Sequence, residues 1–210
     1  MTRSDLPGLS ALPADDAHLR ETCAQSTEAY RGRFLQVRHD TVALPDGSTS
    51  FREYIVHPGA VMVVPLLDDG RLVLERQYRY PTHRAFIEFP AGKLERGEPG
   101  ITCGVRELFE ETGYTATAWA YAGELHNAIA YSDERIEVWF ARGLQAGERR
   151  LDDGEFLDVF AASADELSAW VRDGRVTDAK TMIGLLWLQQ WRAGVWALDW
   201  HPAEHWQCAR

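Results

Sequence analysis

"GKLERGEPGITCGVRELFEETGY" (residues 92–114) runs from a glycine-containing loop into one amphipathic helix. Ile101, Val105, Leu108 and Phe109 follow the i, i+4, i+7, i+8 spacing of a buried stripe, which predicts a helix over about residues 99–112. Pro99 suits its first turn and Gly113 its C′ position. The other side is unusual. Glu107, Glu110 and Glu111 fall within little more than one turn, with Arg106 and no lysine in the helix to relieve them. Like charges at i,i+3 and i,i+4 repel by a few tenths (about 0.2–0.5) of a kcal/mol each. A solvated acidic face is the ordinary explanation of such a run. Two features oppose it: the acids sit near the helix C-terminus, where the dipole disfavours them, and the loop before the helix leaves a strand that reads as buried. A divalent cation resolves the conflict. Mg²⁺, with Mn²⁺ next, takes carboxylates and phosphates in tight octahedral geometry, and two such ions can clamp a diphosphate and activate water.

Outward from this segment the pattern alternates between strands and helices. "RFLQVRHDTVAL" and "TSFREYIVH" flank Pro45-Asp46-Gly47 and predict a hairpin between Arg33 and His57. "AVMVVPLL", the turn Asp68-Asp69-Gly70 and "RLVLERQYRY" predict a second. Its first strand is apolar throughout and so central; its second puts Leu72, Leu74, Arg76 and Tyr78 on one face. "AFIEFPAG" (85–92) reads as one buried strand. "WAYAGELHNAI" and "ERIEVWFARGL" predict two more around Ala130–Asp133, and the acidic loop of "LDDGEFLDVFAA" leads into another. Ser163 and Gly174 bracket a helix, and Thr177 is the expected cap of a longer one. Trp187 and Trp191 share a face of that helix and read as packing residues. Mixed strands with two or three helices predict an α/β or α+β sandwich. The expected divisions are a polar arm, loose or briefly helical, at 1–27, a small β domain at 28–57, a catalytic domain at 58–198 and a tail at 199–210.

Composition narrows the partners. Lys plus Arg number 22 against 32 Asp plus Glu, a net charge of −10 over 210 residues, which argues against wrapping a nucleic-acid backbone. Cys23, Cys103 and Cys208 lie far apart with no C-x-x-C, as expected in a reducing compartment and without a zinc site. Cys103, beside the apolar stripe, reads as a small buried residue. His126 and His201 lack partners at metal-ligand spacing and read as structural. The N-terminus shows no apolar signal-peptide core, and no apolar run is long enough for a membrane span. A cytoplasmic protein with no membrane partner is expected.

Gly92, five residues, Glu98, seven residues, then Arg106-Glu107-Leu108-x-Glu110-Glu111-x-Gly113 resembles the box of the Nudix hydrolases at every fixed position, with Tyr114 in a slot that is usually aliphatic. The resemblance is close over the box and looser over roughly residues 30 to 195. It implies a Nudix α/β/α sandwich, with Glu107 and Glu111 as metal ligands, Glu110 a ligand or outer partner, and the Ala91 carbonyl a further ligand. Arg106 would orient these carboxylates, with Glu98 paired to it; a purely structural ion pair explains Glu98 and Arg106 equally well. Gly92 and Gly113 are expected only to shape turns.

"EFPAGKLERGE", the hairpin before it and "YSDERIEVWFARGL" after it resemble the ADP-ribose pyrophosphatase branch of the family. In that branch the N-terminal β domain is exchanged across a homodimer, which would give the early hairpin something to pack on. The resemblance implies that Arg52 of the partner subunit and Arg79 hold the nucleotide or its phosphates, and that Glu134 lies near the terminal ribose. Solvated strand arginines and plain turn chemistry remain the alternatives for these three. Ile129 stands where the branch carries a proline in its Ser-Pro-Gly-like loop, which weakens ADP-ribose preference and keeps GDP-mannose and other nucleoside diphosphate sugars open. The general base is expected from "LDDGEF" (151–156), Glu155 first and Asp153 second, although Asp-Asp-Gly is equally a turn sequence. The expected activity is hydrolysis of a nucleoside diphosphate sugar, ADP-ribose giving AMP and ribose 5-phosphate. Dinucleotides and a non-catalytic ligand sensor are the alternatives. The complete set of box carboxylates and the lack of a basic helix-turn-helix segment speak against the sensor.

Overall fold

The computed structural model describes Pro13 and residues 15–208. Most of the segment before Asp15 and the last two residues lie outside the described residues, so the expected arm and tail are assessed only in part. The chain divides into two compact units, one running to His57 and including Ala130–Asp133, the other comprising Pro58–Ile129 and Glu134 onward.

The first unit is a three-stranded antiparallel sheet of β1 (Thr22–Arg31), β2 (Gln36–Ala43) and β3 (Thr49–Val56), in the order β1-β2-β3. The Asp46-Gly47 turn closes the expected hairpin, with the Ser48 N–H and hydroxyl both donating to Asp46. The strand β1 corrects the expectation of a loose or briefly helical arm up to residue 27. Its residues are mostly polar or small and are exposed along the whole strand, so no apolar alternation marks it; the backbone ladder to β2 holds it. Ala130–Asp133 join this unit through backbone bonds between Ile55 and both Tyr131 and Asp133.

Among the described residues, the second unit contains two sheets and four α-helices. One sheet has the order β7 (Ala91–Lys93), β4 (Ala60–Pro65), β9 (Ile136–Ala146), β8 (Tyr114–Leu125); the other has β10 (Leu157–Ala162), β5 (Leu72–Arg79), β6 (Arg84–Glu88). Central β4 is buried on both faces and runs parallel to β9. Its side chains alternate between two cores. Met62 and Val64 join Leu72, Leu74, Phe89, Val138, Phe140, Leu185 and Leu188. Val61 and Val63 join Ile101, Leu108, Trp119 and Trp139. The first core is covered by α2 (Ala164–Arg172) and α3 (Ala179–Arg192), the second by α1 (Gly100–Thr112) and α4 (Ala203–Cys208). This is the expected α/β/α sandwich. Trp187 and Trp191 pack against the first core.

Several local expectations change. The stretch 85–92 is two strands, β6 and β7, in different sheets, because Pro90 between them offers no N–H and its carbonyl instead accepts from Val63 at 2.9 Å. Asp178, not Thr177, caps α3, accepting from the Thr181 N–H at 3.0 Å; Thr177 instead accepts from Arg84. Ser163 caps α2 in a reciprocal capping box with Glu166. The expected tail enters the fold: His201 and Trp119 exchange both backbone hydrogen bonds, and the Trp206 indole donates to the Trp119 carbonyl at 3.1 Å. No helix among the described residues is long and apolar enough to cross a membrane.

Candidate active site

The acidic end of α1 lies against β7. Gly92 is in β7 rather than in a turn, and it does more than the expected shaping of the chain: a Cβ there would stand 1.8 Å from the Glu107 carboxylate, which occupies that space. Gly113 does shape a turn, capping α1 with φ 77°. The Ala91 N–H donates to Glu111 at 3.0 Å. Arg106 forks among its acidic neighbours, donating to both Glu98 oxygens at 3.1 and 3.0 Å, to Glu107 at 2.7 Å and to Glu110 at 3.1 Å. Its hydrogen bonds to Glu98 above all hold the guanidinium pKa high, and Glu98 is held low by the same contact. Burial lifts the Glu107 pKa despite the opposing pull of Arg106.

A second wall comes from β5. Strand alternation turns Val73, Glu75, Gln77 and Arg79 to one face. Gln77 donates to Glu155 at 3.1 Å. Arg79 makes a two-pronged bond to Glu88 at 2.8 and 2.9 Å, and Lys180 reaches both Glu88 and Asp178. Burial alone would raise the Glu88 pKa, but Arg79 and Lys180 outweigh it and the net shift is downward. Glu75 is fully buried, and neither of its oxygens receives a donor from the protein. Its pKa is raised by burial and then by the charge of Glu88. Glu111 is raised by burial and then by Glu75, Glu107 and Glu155.

Glu111 is thus the neighbour that Glu75, Glu107 and Glu155 share. A buried carboxylate with orphaned oxygens beside further carboxylates, all hard acceptors, suits a divalent cation that takes oxygen ligands. Among the described residues, no three acidic, His or Cys side chains are gathered closely enough to form a metal cluster by themselves; Arg106 engages Glu107 and Glu110 instead.

Of the residues singled out from sequence, Ala91, Arg106, Glu107, Glu110, Glu111 and Glu155 come together here. Asp153 sits exposed in the turn before Glu155. Arg79 is held by Glu88, close enough for its charge to act on Glu75 and Glu111. Arg52 lies in the first unit, where it donates to Glu21, to Ser50 and to the Phe51 carbonyl. Glu134 is half-buried in the run into β9. Glu75, Gln77, Glu88 and Lys180 were not anticipated. The one available signal was the strand period, which puts Glu75 and Gln77 on the Arg79 face.

Comparison with known proteins identifies the family. Residues 56–186 match the family model of the NUDIX domain, and residues 21–55 that of the nucleoside diphosphate sugar hydrolase N-terminal domain. The chain is 35% identical to the ADP-ribose pyrophosphatase of Bacillus subtilis over 81% of this chain and 94% of that protein. It is 36% identical to the methanol dehydrogenase activator of Bacillus methanolicus, over 80% and 92%. A crystal structure of an ADP compounds hydrolase superposes with a TM-score of 0.76 at 24% identity, covering 84% of this chain and 97% of the other, which speaks to the fold. With the box carboxylates assembled against β7 and a family model covering most of the chain, this protein belongs to the Nudix family and is a Nudix hydrolase.

Proposed function

We propose that the chain hydrolyses the diphosphate of ADP-ribose or a closely related nucleoside diphosphate sugar, using Mg²⁺ or, second, Mn²⁺. The observation that carries the reading is the approach of Glu155, from the loop after β9, to the helix carboxylates Glu107 and Glu111, on both of which its charge acts. The N-terminal domain model and the ADP-ribose pyrophosphatase relatives support the substrate class. The Ala91 carbonyl, Glu107, Glu110 and Glu111 would hold the cation. When bound, it supplies neutralisation of the diphosphate oxygens and a more acidic water.

The chain's own residues do the rest. Arg106 fixes the Glu107 and Glu110 carboxylates. Glu155, steadied by Gln77, accepts the proton of the water that attacks phosphorus, and Asp153 is the second candidate for that task. Arg79 and Arg52 of the partner subunit neutralise the phosphates, and Glu134 contacts the terminal ribose. A homodimer with exchanged N-terminal sheets, working in the cytoplasm, completes the proposal; a mass measurement in solution tests the dimer. ADP-ribose would give AMP and ribose 5-phosphate.

GDP-mannose is the second reading, favoured by Ile129 in place of the branch proline; this side chain is 82% exposed. A panel of nucleoside diphosphate sugars and dinucleotides with Mg²⁺, read by phosphate release with added phosphatase, tests the proposal. Turnover of ADP-ribose above GDP-mannose supports the first reading and the reverse order the second; no turnover of any compound favours a sensor. Glu155→Gln should lower kcat by roughly 10²–10⁴-fold, the range for a lost general base, with little change in metal affinity.

A further inference from the structure

We infer that Glu75 of β5 is a further ligand of the divalent-cation centre, pairing with Glu111 across the gap between the strand and the box helix. The inference rests on the reading that Glu111 holds a cation, and extends it to a residue outside the box and outside the loop that carries Glu155.

The argument begins with what surrounds Glu75. It is 0% exposed, and both carboxylate oxygens are buried without a donor from the protein. Its direct partner across the β5–β6 ladder is Glu88, so the two side chains stand on the same face of that sheet. Arg79 and Lys180 act on Glu75 by charge, yet the hydrogen bonds of both go to Glu88. The Glu111 carboxyl stands close enough to share a proton with Glu75. Glu111 itself takes one N–H, from Ala91.

Once both carboxyls are ionised, Glu75 is left buried and unsatisfied, which native structures seldom tolerate without a proton, a water or an ion. A proton shared by the pair would satisfy them but give Glu75 no part in cation binding. A divalent cation satisfies both carboxylates with oxygen ligands of the kind Mg²⁺ and Mn²⁺ prefer, and the charges of both Glu75 and Glu107 act on Glu111. The neighbouring cations do not compete for this place, since Glu88 already engages them.

The test is a Mn²⁺ titration of the full chain, followed by the electron paramagnetic resonance signal of free Mn²⁺, for the wild type and Glu75→Gln, which keeps the shape and removes the charge. The expected result is loss of one equivalent or at least a tenfold weakening of binding. Thermal unfolding in chelator and in Mn²⁺ supplies a readout independent of turnover. Glu75→Gln should unfold at higher temperature than wild type in chelator and gain less from Mn²⁺. Identical Mn²⁺ titrations for the two proteins would overturn the inference in favour of the shared proton while leaving the proposed function intact. A wild type that binds no Mn²⁺ would remove both. Glu75→Leu guards against a folding defect specific to glutamine. Because Glu75 receives no donor from the protein, failure of both variants to fold would also count against the inference.

Discussion

Glu75 and Glu88 face each other on one rung of the β5–β6 ladder, are both buried, and yet their proton affinities move in opposite directions. Glu88 collects a forked arginine and a lysine, so its carboxylate is favoured in spite of burial. Glu75 collects neither, so burial and then the charge of Glu88 disfavour its own charge. Burial is nearly the same for the two; the placement of donors differs. Charge inside this molecule is therefore governed by which side chains reach a carboxylate, and the two glutamates serve different ends. Glu88 ties β6 to α3 through Lys180, whereas Glu75 is left available to the site.

The largest test of this contrast is Lys180→Met. Removing one partner of a buried ion pair leaves the other uncompensated and costs about 3–5 kcal/mol. Because Arg79 still holds Glu88, a loss of unfolding free energy near the lower end is expected in urea denaturation. A variant as stable as wild type would show that Glu88 depends on Arg79 alone.

The next test uses pH on the metal-free protein. Glu75 and Glu111 have folded-state pKa values above the ordinary 4.5. They bind more protons folded than unfolded above that pH, so their contribution to stability is complete below it and is lost as pH rises toward their raised values. Glu88 lies below its ordinary value, so its contribution is present above 4.5 and lost as pH falls. Stability measured in chelator should decline on both sides. Glu75→Gln should flatten the alkaline limb and Glu88→Gln the acid limb; exchange of these two effects would refute the assignment.

The smallest effect is expected at Arg76, adjacent in sequence to Glu75 but on the opposite face of β5, where the strand has run past buried Leu72 and Leu74 into solvent. Its bond to Asp158 is 2.6 Å long, but the side chains are 61% and 66% exposed, and water and salt screen such pairs. Arg76→Ala should leave the unfolding midpoint within error of wild type. A clear loss would mean that this end of β5 is less exposed in solution.

Much of this arrangement could be read from the residues in order. Seven-residue spacing between Glu98 and Arg106, the stacked glutamates and the terminal glycine were enough to place the helix, its cap and most of its acidic face. The apolar run of β4 announced a strand buried on both sides. The helix stripe was drawn slightly off: the buried positions include Cys103, Gly104, Thr112 and Glu111, while Val105 and Phe109 are only partly covered, because Gly104 lets α1 approach Val61, Val63 and Trp119 closely. Glu75 escaped notice because period-two alternation sorts residues into faces without saying what covers each face. A charged residue in a strand is ordinarily assigned to water, whereas both oxygens of Glu75 are buried. Lys180 was hidden for a related reason, since its partner lies on a strand far away in sequence. β1 was missed because an exposed strand held by backbone bonds carries no hydrophobic signature.

Gly92 has one practical consequence. The volume beside its Cα is taken by the carboxylate of Glu107, so even a methyl group there must push that carboxylate aside. Gly92→Ala is thus a steric perturbation that leaves the electrical charge of the chain untouched, something no substitution of Glu107 by a neutral residue can offer. Comparing the two by cation titration would separate what the glutamate contributes through its location from what it contributes through its negative charge.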